Sequence, residues 1–275
     1  MNRIKIMING VPGHVATSIL LNALQDERFE VLPWSLTGPE ITEPVYSIQN
    51  VDIRLIRPDS RNRIIDSIKQ EHGTWITIDY THPSAINDNA EFYCAKELPF
   101  VMGTTGGDRG KLHAAVEKSA IPAVIAPNMA KQIVGFQAMM EYGARTFPNL
   151  FKGYTLEIHE SHQQGKADTS GTAKAMVRYF NDLGIPFSNE DIHQERNPEN
   201  QKTTWGIPEK YLSGHAWHTY SLTSADQTVN FVFKHNVNGR EIYSGGTFDA
   251  AEFLDRQVKK GEHGRVFTMI DVLKG

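Results

Sequence analysis

Ile4-Lys5-Ile6-Met7-Ile8-Asn9-Gly10-Val11-Pro12-Gly13-His14-Val15-Ala16 is the stretch on which the fold turns. Its first half carries three isoleucines at alternate positions, the composition of a buried strand. Apolar residues at Val15, Ile19, Leu20, Ala23 and Leu24 then recur at helical spacing. A strand, a glycine turn and a helix in that order form a setting able to hold a dinucleotide pyrophosphate. Gly10 permits the tight turn, Gly13 lets the backbone approach the phosphates, and Ala16 stands where a third small residue lets helix and strand pack closely. Gly10, Val11, Pro12, Gly13, His14 and Val15 are therefore the candidate cradle.

Working outward, Phe29 to Leu32 reads as a second strand, ending where an adenosine ribose would lie. Pro33-Trp34-Ser35-Leu36-Thr37 follows without the acid that usually accepts the ribose hydroxyls. With hydroxyls there and no carboxylate to repel a 2′-phosphate, Ser35 and Thr37 are candidate ligands. The expected cofactor is NADPH, with NADH also accepted. Further strands are read at Arg54 to Ile56, Trp75 to Tyr80, Phe100 to Met102 and Ala123 to Ala126, alternating with helices around Ile64 to Ile68, Ala85 to Lys96 and Lys111 to Ser119. Such alternation makes a parallel sheet, whose carboxyl-end loops take the cofactor. Gly103, Thr104 and Thr105 are placed there beside the nicotinamide half, and Pro127-Asn128-Met129 is the exit from this domain.

After Ala130 the pattern changes. A helix from about Ile133 to Thr146 leads to a strand, Tyr154 to His162. Two alternating runs, His215 to Leu222 and Thr228 to His235, read as strands with one buried face. Asn238-Gly239 is a hairpin signal, so Arg240 to Ser244 is expected to pair back as a strand. The fold class is α/β: an N-terminal Rossmann-type parallel-sheet domain, 1–129 completed by about 247–275, plus an α+β domain with a mixed sheet, 130–246, to which the resemblance given below assigns substrate binding and oligomerisation. Hinges are expected near Asn128 to Ala130 and at Gly245-Gly246.

Glu157 to Met176 concentrates the chemistry. His162 is the side chain whose ordinary pKa suits proton transfer near neutrality. Lys166 adds a positive charge. Ala173, Met176, Val177 and Phe180 mark a helix whose N-terminus, Ser170-Gly171-Thr172, offers backbone N–H groups and a hydroxyl to a carboxylate or phosphate. No metal site is expected, because His159 and His162, like His215 and His218, are an odd number apart and face opposite sides of a strand. A hydrolase is disfavoured, since Ser170 lacks a nucleophile-elbow context. Trp205, Trp217 and Tyr220 read as core or interface aromatics.

With 28 basic and 32 acidic residues the net charge is −4, which argues against nucleic acid or an anionic membrane as partner. The single cysteine, Cys94, excludes an internal disulfide and fits a reducing compartment. Neither a signal peptide nor a membrane span is read. The expected location is cytoplasmic, or plastid stroma for a processed plant-type chain.

These motifs also carry a resemblance. Asn9-Gly10 to Ala16, Gly103-Thr104-Thr105-Gly106, Pro127-Asn128-Met129, the run Glu160-Ser161-His162 through Lys166 to Ser170-Gly171-Thr172, and Met269-Ile270-Asp271-Val272-Leu273 occur in the order seen in dihydrodipicolinate reductases. The chain resembles that family over essentially its whole length. The resemblance implies an NADPH- or NADH-dependent reduction of a cyclic dicarboxylate, 4-hydroxy-tetrahydrodipicolinate, in the diaminopimelate route to lysine. By the same resemblance His162 is the proton donor, Lys166 the catalytic and substrate-binding lysine, and Ser170, Gly171 and Thr172 the carboxylate cradle. Gln163, Thr169 running directly into Ser170, and Lys131-Gln132 depart from the common bacterial pattern and resemble the plant-type branch. A homodimer or homotetramer through the second domain is implied. The competing readings are another two-domain NAD(P)-dependent dehydrogenase of amino-acid metabolism and a non-catalytic NADPH-binding sensor.

Overall fold

The computed structural model describes residues 3–275 and divides the chain into two compact units. One runs up to Val134 and resumes over Glu241–Gly275; the other is Gly135–Arg240. In chain order the regular elements are β1 Ile4–Asn9, α1 His14–Ala23, β2 Phe29–Val31, β3 Trp34–Leu36, β4 Val45–Ile48, β5 Val51–Ile56, α2 Arg61–His72, β6 Ile76–Asp79, α3 Ile86–Ala95, β7 Phe100–Met102, α4 Arg109–Glu117 and β8 Ala123–Ile125. They continue as α5 Lys131–Thr146, β9 Thr155–His162, α6 Gly171–Asp182, β10 His193–Glu195, α7 Pro198–Thr203, β11 His215–Thr223, β12 Asn230–Asn238, α8 Glu241–Lys259, β13 Val266–Phe267 and α9 Met269–Lys274.

The first unit is built on a six-stranded parallel sheet of order β13-β8-β7-β6-β1-β2. Parallel strands buried on both faces need apolar side chains on both, and the sheet has two cores. Ile6, Ile8, Ile78 and Val101 pack on one face with Ile19 and Leu20 of α1 and Phe248, Ala251 and Leu254 of α8. On the other, Met7, Phe100, Met102 and Ile125 meet Ile65 and Ile68 of α2, Ala90 and Tyr93 of α3, and Leu112 and Val116 of α4. The order in which strands are added reverses at β1, which has β2 on one side and β6 on the other, all running parallel. That switch point opens a crevice at the carboxyl ends of β1 and β6. The parallel-sheet expectation holds, and so does the mixed second sheet, β10-β9-β11-β12, whose β9, β11 and β12 are antiparallel neighbours. Ile158, Tyr220 and Leu222 of this sheet pack against Met176, Val177 and Phe180 of α6.

Within Pro33 to Thr37 lies β3, which joins a small sheet, β3-β5-β4. Two expectations are corrected. The run from Arg240 to Ser244 does not pair back, because α8 begins at Glu241 and carries Tyr243, Thr247, Phe248, Ala251 and Leu254 at helical spacing. Gly245-Gly246 is therefore helix interior and no hinge. A Cβ on Gly246 would overlap the carbonyl oxygen of Met129, so glycine there permits close approach of helix and chain.

Candidate active site

In the first unit the crevice is a cleft of 970 Å³. Gly10, Pro12, Gly13 and Thr37 line it, together with Arg61, Tyr80 and His82, which sequence reasoning did not single out. Gly10 sits at φ +103°, and a Cβ would strike the Tyr80 carbonyl as β6 ends, so this turn accepts only glycine. Gly13 caps α1 without a side-chain bond. The N–H groups of His14, Val15 and Ala16 open the helix and have no partner within it, the arrangement that receives a phosphate. Val11 is different: its side chain is in the core and its N–H is bound to Ser35 Oγ at 3.2 Å.

Ser35 itself is fully buried, and its hydroxyl donates to the Leu36 carbonyl. This overturns its assignment as a phosphate ligand and leaves Thr37 at the cleft. The expected absence of a carboxylate is also corrected, since the Glu40 side chain folds back over Gly38 and lines the cleft.

A buried network holds the loops around this crevice. Asp79, with no exposed surface, accepts hydrogen bonds from the Tyr93 hydroxyl at 2.6 Å, Asn89 Nδ2 at 3.1 Å, Thr104 Oγ1 at 3.0 Å, and both the amide and hydroxyl of Thr81. Asn9 donates to Tyr93 and accepts from the Leu36 amide. Five donors on one buried carboxylate satisfy it without a cationic partner. Thr104 is thus spent inside, whereas Thr105 is exposed. Pro127 is exposed, Asn128 Oδ1 accepts the Ala130 amide, and the Met129 side chain is in the core.

In the second unit, β9 delivers His162 at its last residue and α6 opens nine residues later. Ser170 is the N-cap, its Oγ accepting the Thr172 amide at 3.2 Å, while the Ser170 amide donates to Glu160 Oε2 at 3.1 Å. Gly171 N–H and the hydroxyl protons of Ser170 and Thr172 remain to meet an anion. Lys166 Nζ donates to Asp168 Oδ1 at 2.6 Å in the intervening loop.

Glu160 and Arg196, which sequence reasoning missed, hold this loop. Glu160 is fully buried and Arg196 Nη2 donates to its Oε1 at 2.5 Å. Arg196 Nε donates to the Lys166 carbonyl at 3.0 Å, and Gln201, also fully buried, donates to the His162 carbonyl at 2.7 Å. One ion pair thereby ties β9, the Lys166 loop and the α6 cap. The signal was a charged residue at an inward position of a strand, Glu160 two residues before His162, which has no stable place without a partner.

His162 is 6% exposed and its Nε2 has no hydrogen-bond partner. Burial first, then the nearby charges of Arg196 and Lys166, push its pKa down to about 4. In the ligand-free protein the imidazole is therefore neutral, contrary to the expectation of an ordinary value. The antiparallel register sets His218 opposite Glu160, and His162 follows Glu160 by two residues on the same face. His162 and His218 stand edge to face, ring centroids 5.2 Å apart, with Nε2 atoms 3.9 Å and 3.7 Å from Glu160 Oε2. Considering pairs within one strand only, the sequence argument could not see this cross-strand group. His159 stacks instead on His193.

Comparison with known proteins agrees with this architecture. The family model described as dihydrodipicolinate reductase, N-terminus, matches residues 4–129, and that for the C-terminus matches 133–273. The chain belongs to the dihydrodipicolinate reductase family. It is 44% identical over 269 residues to the probable 4-hydroxy-tetrahydrodipicolinate reductase 1, chloroplastic, of Oryza sativa subsp. japonica, covering 98% of this chain and 78% of that protein. It is 43% identical to 4-hydroxy-tetrahydrodipicolinate reductase 1, chloroplastic, of Arabidopsis thaliana, covering 99% and 78%. A dipicolinate-bound dihydrodipicolinate reductase from Paenisporosarcina sp. TG-14 shares the fold with a TM-score of 0.67 at 18% identity, over 98% of this chain and 99% of that one. As a dihydrodipicolinate reductase family member the chain is an NAD(P)H-dependent oxidoreductase, and its parallel-sheet unit is the part that takes the nicotinamide cofactor. Among the described residues no helix is long and apolar enough to cross a membrane.

Proposed function

We propose that this protein reduces 4-hydroxy-tetrahydrodipicolinate to tetrahydrodipicolinate with a nicotinamide cofactor, in the diaminopimelate route to lysine. The observation that carries the reading is the second unit's cluster: a cationic Lys166, an open helix N-terminus at Ser170-Gly171-Thr172 and a buried imidazole, His162, whose Nε2 has no partner, held together by the Glu160–Arg196 pair. A cyclic dicarboxylate needs cationic and N–H donors at its carboxylates and a proton donor at the ring. Hydride comes from the bound nicotinamide, and the proton goes to the site where negative charge develops.

The low pKa of His162 gives this step its logic. Two of the causes depressing it are the charges of Arg196 and Lys166. A bound dicarboxylate beside Lys166 offsets that charge, so His162 takes up a proton when substrate arrives and gives it up in the reduction. Asp168 yields Lys166 to the substrate, exchanging one carboxylate for another.

For the cofactor, the reading is NADPH with NADH also used. Thr37 and Arg61 at the cleft are the groups for a 2′-phosphate and Glu40 the group for ribose hydroxyls. The Gly10–Val15 turn, Gly103 to Thr105 and Pro127 to Met129 are assigned to the dinucleotide. A second copy of the chain is assigned to β12, an edge strand with Phe231 and Val232 exposed, giving a homodimer or homotetramer. The compartment is the cytoplasm, or the plastid stroma for a plant-type chain, in line with the chloroplastic names of the rice and Arabidopsis relatives.

The test is oxidation of NADPH, and separately NADH, on substrate generated in situ from pyruvate and aspartate semialdehyde. His162→Ala and Lys166→Ala are expected to collapse turnover, by about 10²-fold to 10⁴-fold for the proton donor, while nucleotide binding persists. Nucleotide binding without turnover in the native protein would point instead to the sensor.

A further inference from the structure

We infer that Glu160, His162 and His218 form a divalent-metal site of the two-histidine, one-carboxylate kind, and that Zn²⁺ bound there reversibly blocks the active site. One ligand-capable atom from each of the three residues lies within 4.8 Å of the other two, and all three side chains are buried. The sheet register causes the convergence: His218 is Glu160's direct cross-strand partner, and His162 is Glu160's neighbour along the same face of β9.

Two observations point from this cluster to a ligand. His162 Nε2 and both ring nitrogens of His218 are buried and lack any hydrogen-bond partner among the described residues, with His218 only 1% exposed. Buried polar nitrogens are ordinarily satisfied, so two imidazoles turning unpartnered nitrogens toward one carboxylate oxygen mark a place where something binds. The donor set then selects the occupant. Imidazole nitrogen and carboxylate oxygen suit Zn²⁺, and three protein ligands leave a fourth tetrahedral position open.

The distances are near those required. Zinc bonds of about 2.1 Å place tetrahedral ligand atoms about 3.4 Å apart. His162 Nε2 and His218 Nε2 lie 3.9 Å and 3.7 Å from Glu160 Oε2, so modest side-chain adjustment closes the triangle. Arg196 bonds Oε1 of the same carboxylate, and Oε2, which accepts the Ser170 amide, faces the histidines with its remaining lone pair. Because Arg196 already neutralises Glu160, and Lys166 is paired with Asp168, the ion enters without surplus negative charge. Zinc would occupy the His162 lone pair that must take up the proton, so inhibition, unlike binding, rests on the proposed reductase reaction.

The test uses the full-length protein with the metal alone. Equilibrium dialysis is expected to find one Zn²⁺ per chain, and Co²⁺ in its place should give the intense visible bands of a tetrahedral site. His218→Asn and Glu160→Gln, each checked for native melting, should weaken binding at least about tenfold. His159→Asn, on the exposed side of β9, should leave it unchanged. NADPH oxidation should fall with the same midpoint and recover on chelation. Absence of stoichiometric binding, or binding indifferent to His218→Asn and to a second variant, His218→Gln, would overturn the site. Metal binding intact in a protein that turns over no substrate would sink the reductase reading and leave the site standing.

Discussion

Arg196→Ala is the substitution that most directly tests how the second unit builds its site. Arg196 is 17% exposed at its side chain and its partner Glu160 has no exposure, so removing the guanidinium strands a buried carboxylate with a single backbone donor, the Ser170 amide. Breaking a buried pair costs about 3 to 5 kcal/mol, and the partial exposure of Arg196 puts the expectation at roughly 3 kcal/mol. With a urea dependence of roughly 3 kcal/mol per molar, the unfolding midpoint falls by about 1 M. The same change removes the charge that, after burial, most depresses His162. The pKa of His162 in the free enzyme should therefore rise by about one pH unit. Protonated His162 is the competent form, so the limb on which kcat/KM falls with rising pH should move upward by that amount. Substrate KM should also rise, because the Lys166 carbonyl loses its donor. Arg196→Lys, keeping charge but not the fork of donors, should restore the pH limb more than KM. An unchanged urea midpoint together with an unshifted limb would refute the assignment of Arg196 as the clip.

Gly10→Ala forces a Cβ into the Tyr80 carbonyl at positive φ; nucleotide affinity should drop by at least about tenfold, read by fluorescence titration, with strain of about 1 to 3 kcal/mol in melting. Burial holds His162, His215, His218 and His235 below the ordinary imidazole pKa, to about 4 for His162 and His235. Unfolded imidazoles protonate below about pH 6.5, so the unfolded state binds more protons between there and pH 4. Stability should be full above pH 6.5 and decline across that window, by up to roughly 3 kcal/mol from His162; a flat urea midpoint from pH 7 to pH 4.5 would contradict this. Thr268→Ala removes a capping box in which Thr268 Oγ1 accepts the Asp271 amide and Asp271 accepts the Thr268 amide, and should cost about 1 kcal/mol in chemical denaturation.

Legibility from sequence followed the range of the interactions involved. The β1-turn-α1 unit was readable because its period change and its glycines are local, and the same holds for α6, whose cap and apolar stripe lie within one run. Arg240 to Ser244 misled because Asn238-Gly239 and the β-formers Ile242 and Tyr243 outweighed a helical period hidden by two glycines, one of which is explained only by Met129 lying against it. Ser35 looked like a ligand because β3 is three residues long and follows a proline; its partners, Val11 and β5, are distant in sequence. Arg196 and His218 were invisible for a related reason. Their roles come from the pairing of β10 and β11 with β9, which periodicity within one strand does not report.

The first unit is assembled from two stretches of chain, with Gly135–Arg240 inserted between them. During synthesis the inserted unit is fully translated while its host still lacks α8, β13 and α9. The host's nascent sheet would then present Ile6, Ile8 and Val101 to solvent, awaiting Phe248, Ala251 and Leu254. The order of synthesis thus leaves an apolar face of the earlier unit uncovered until its last elements are made. A cell short of chaperone capacity would accumulate chains whose later-born unit is folded and whose earlier-born one is sticky.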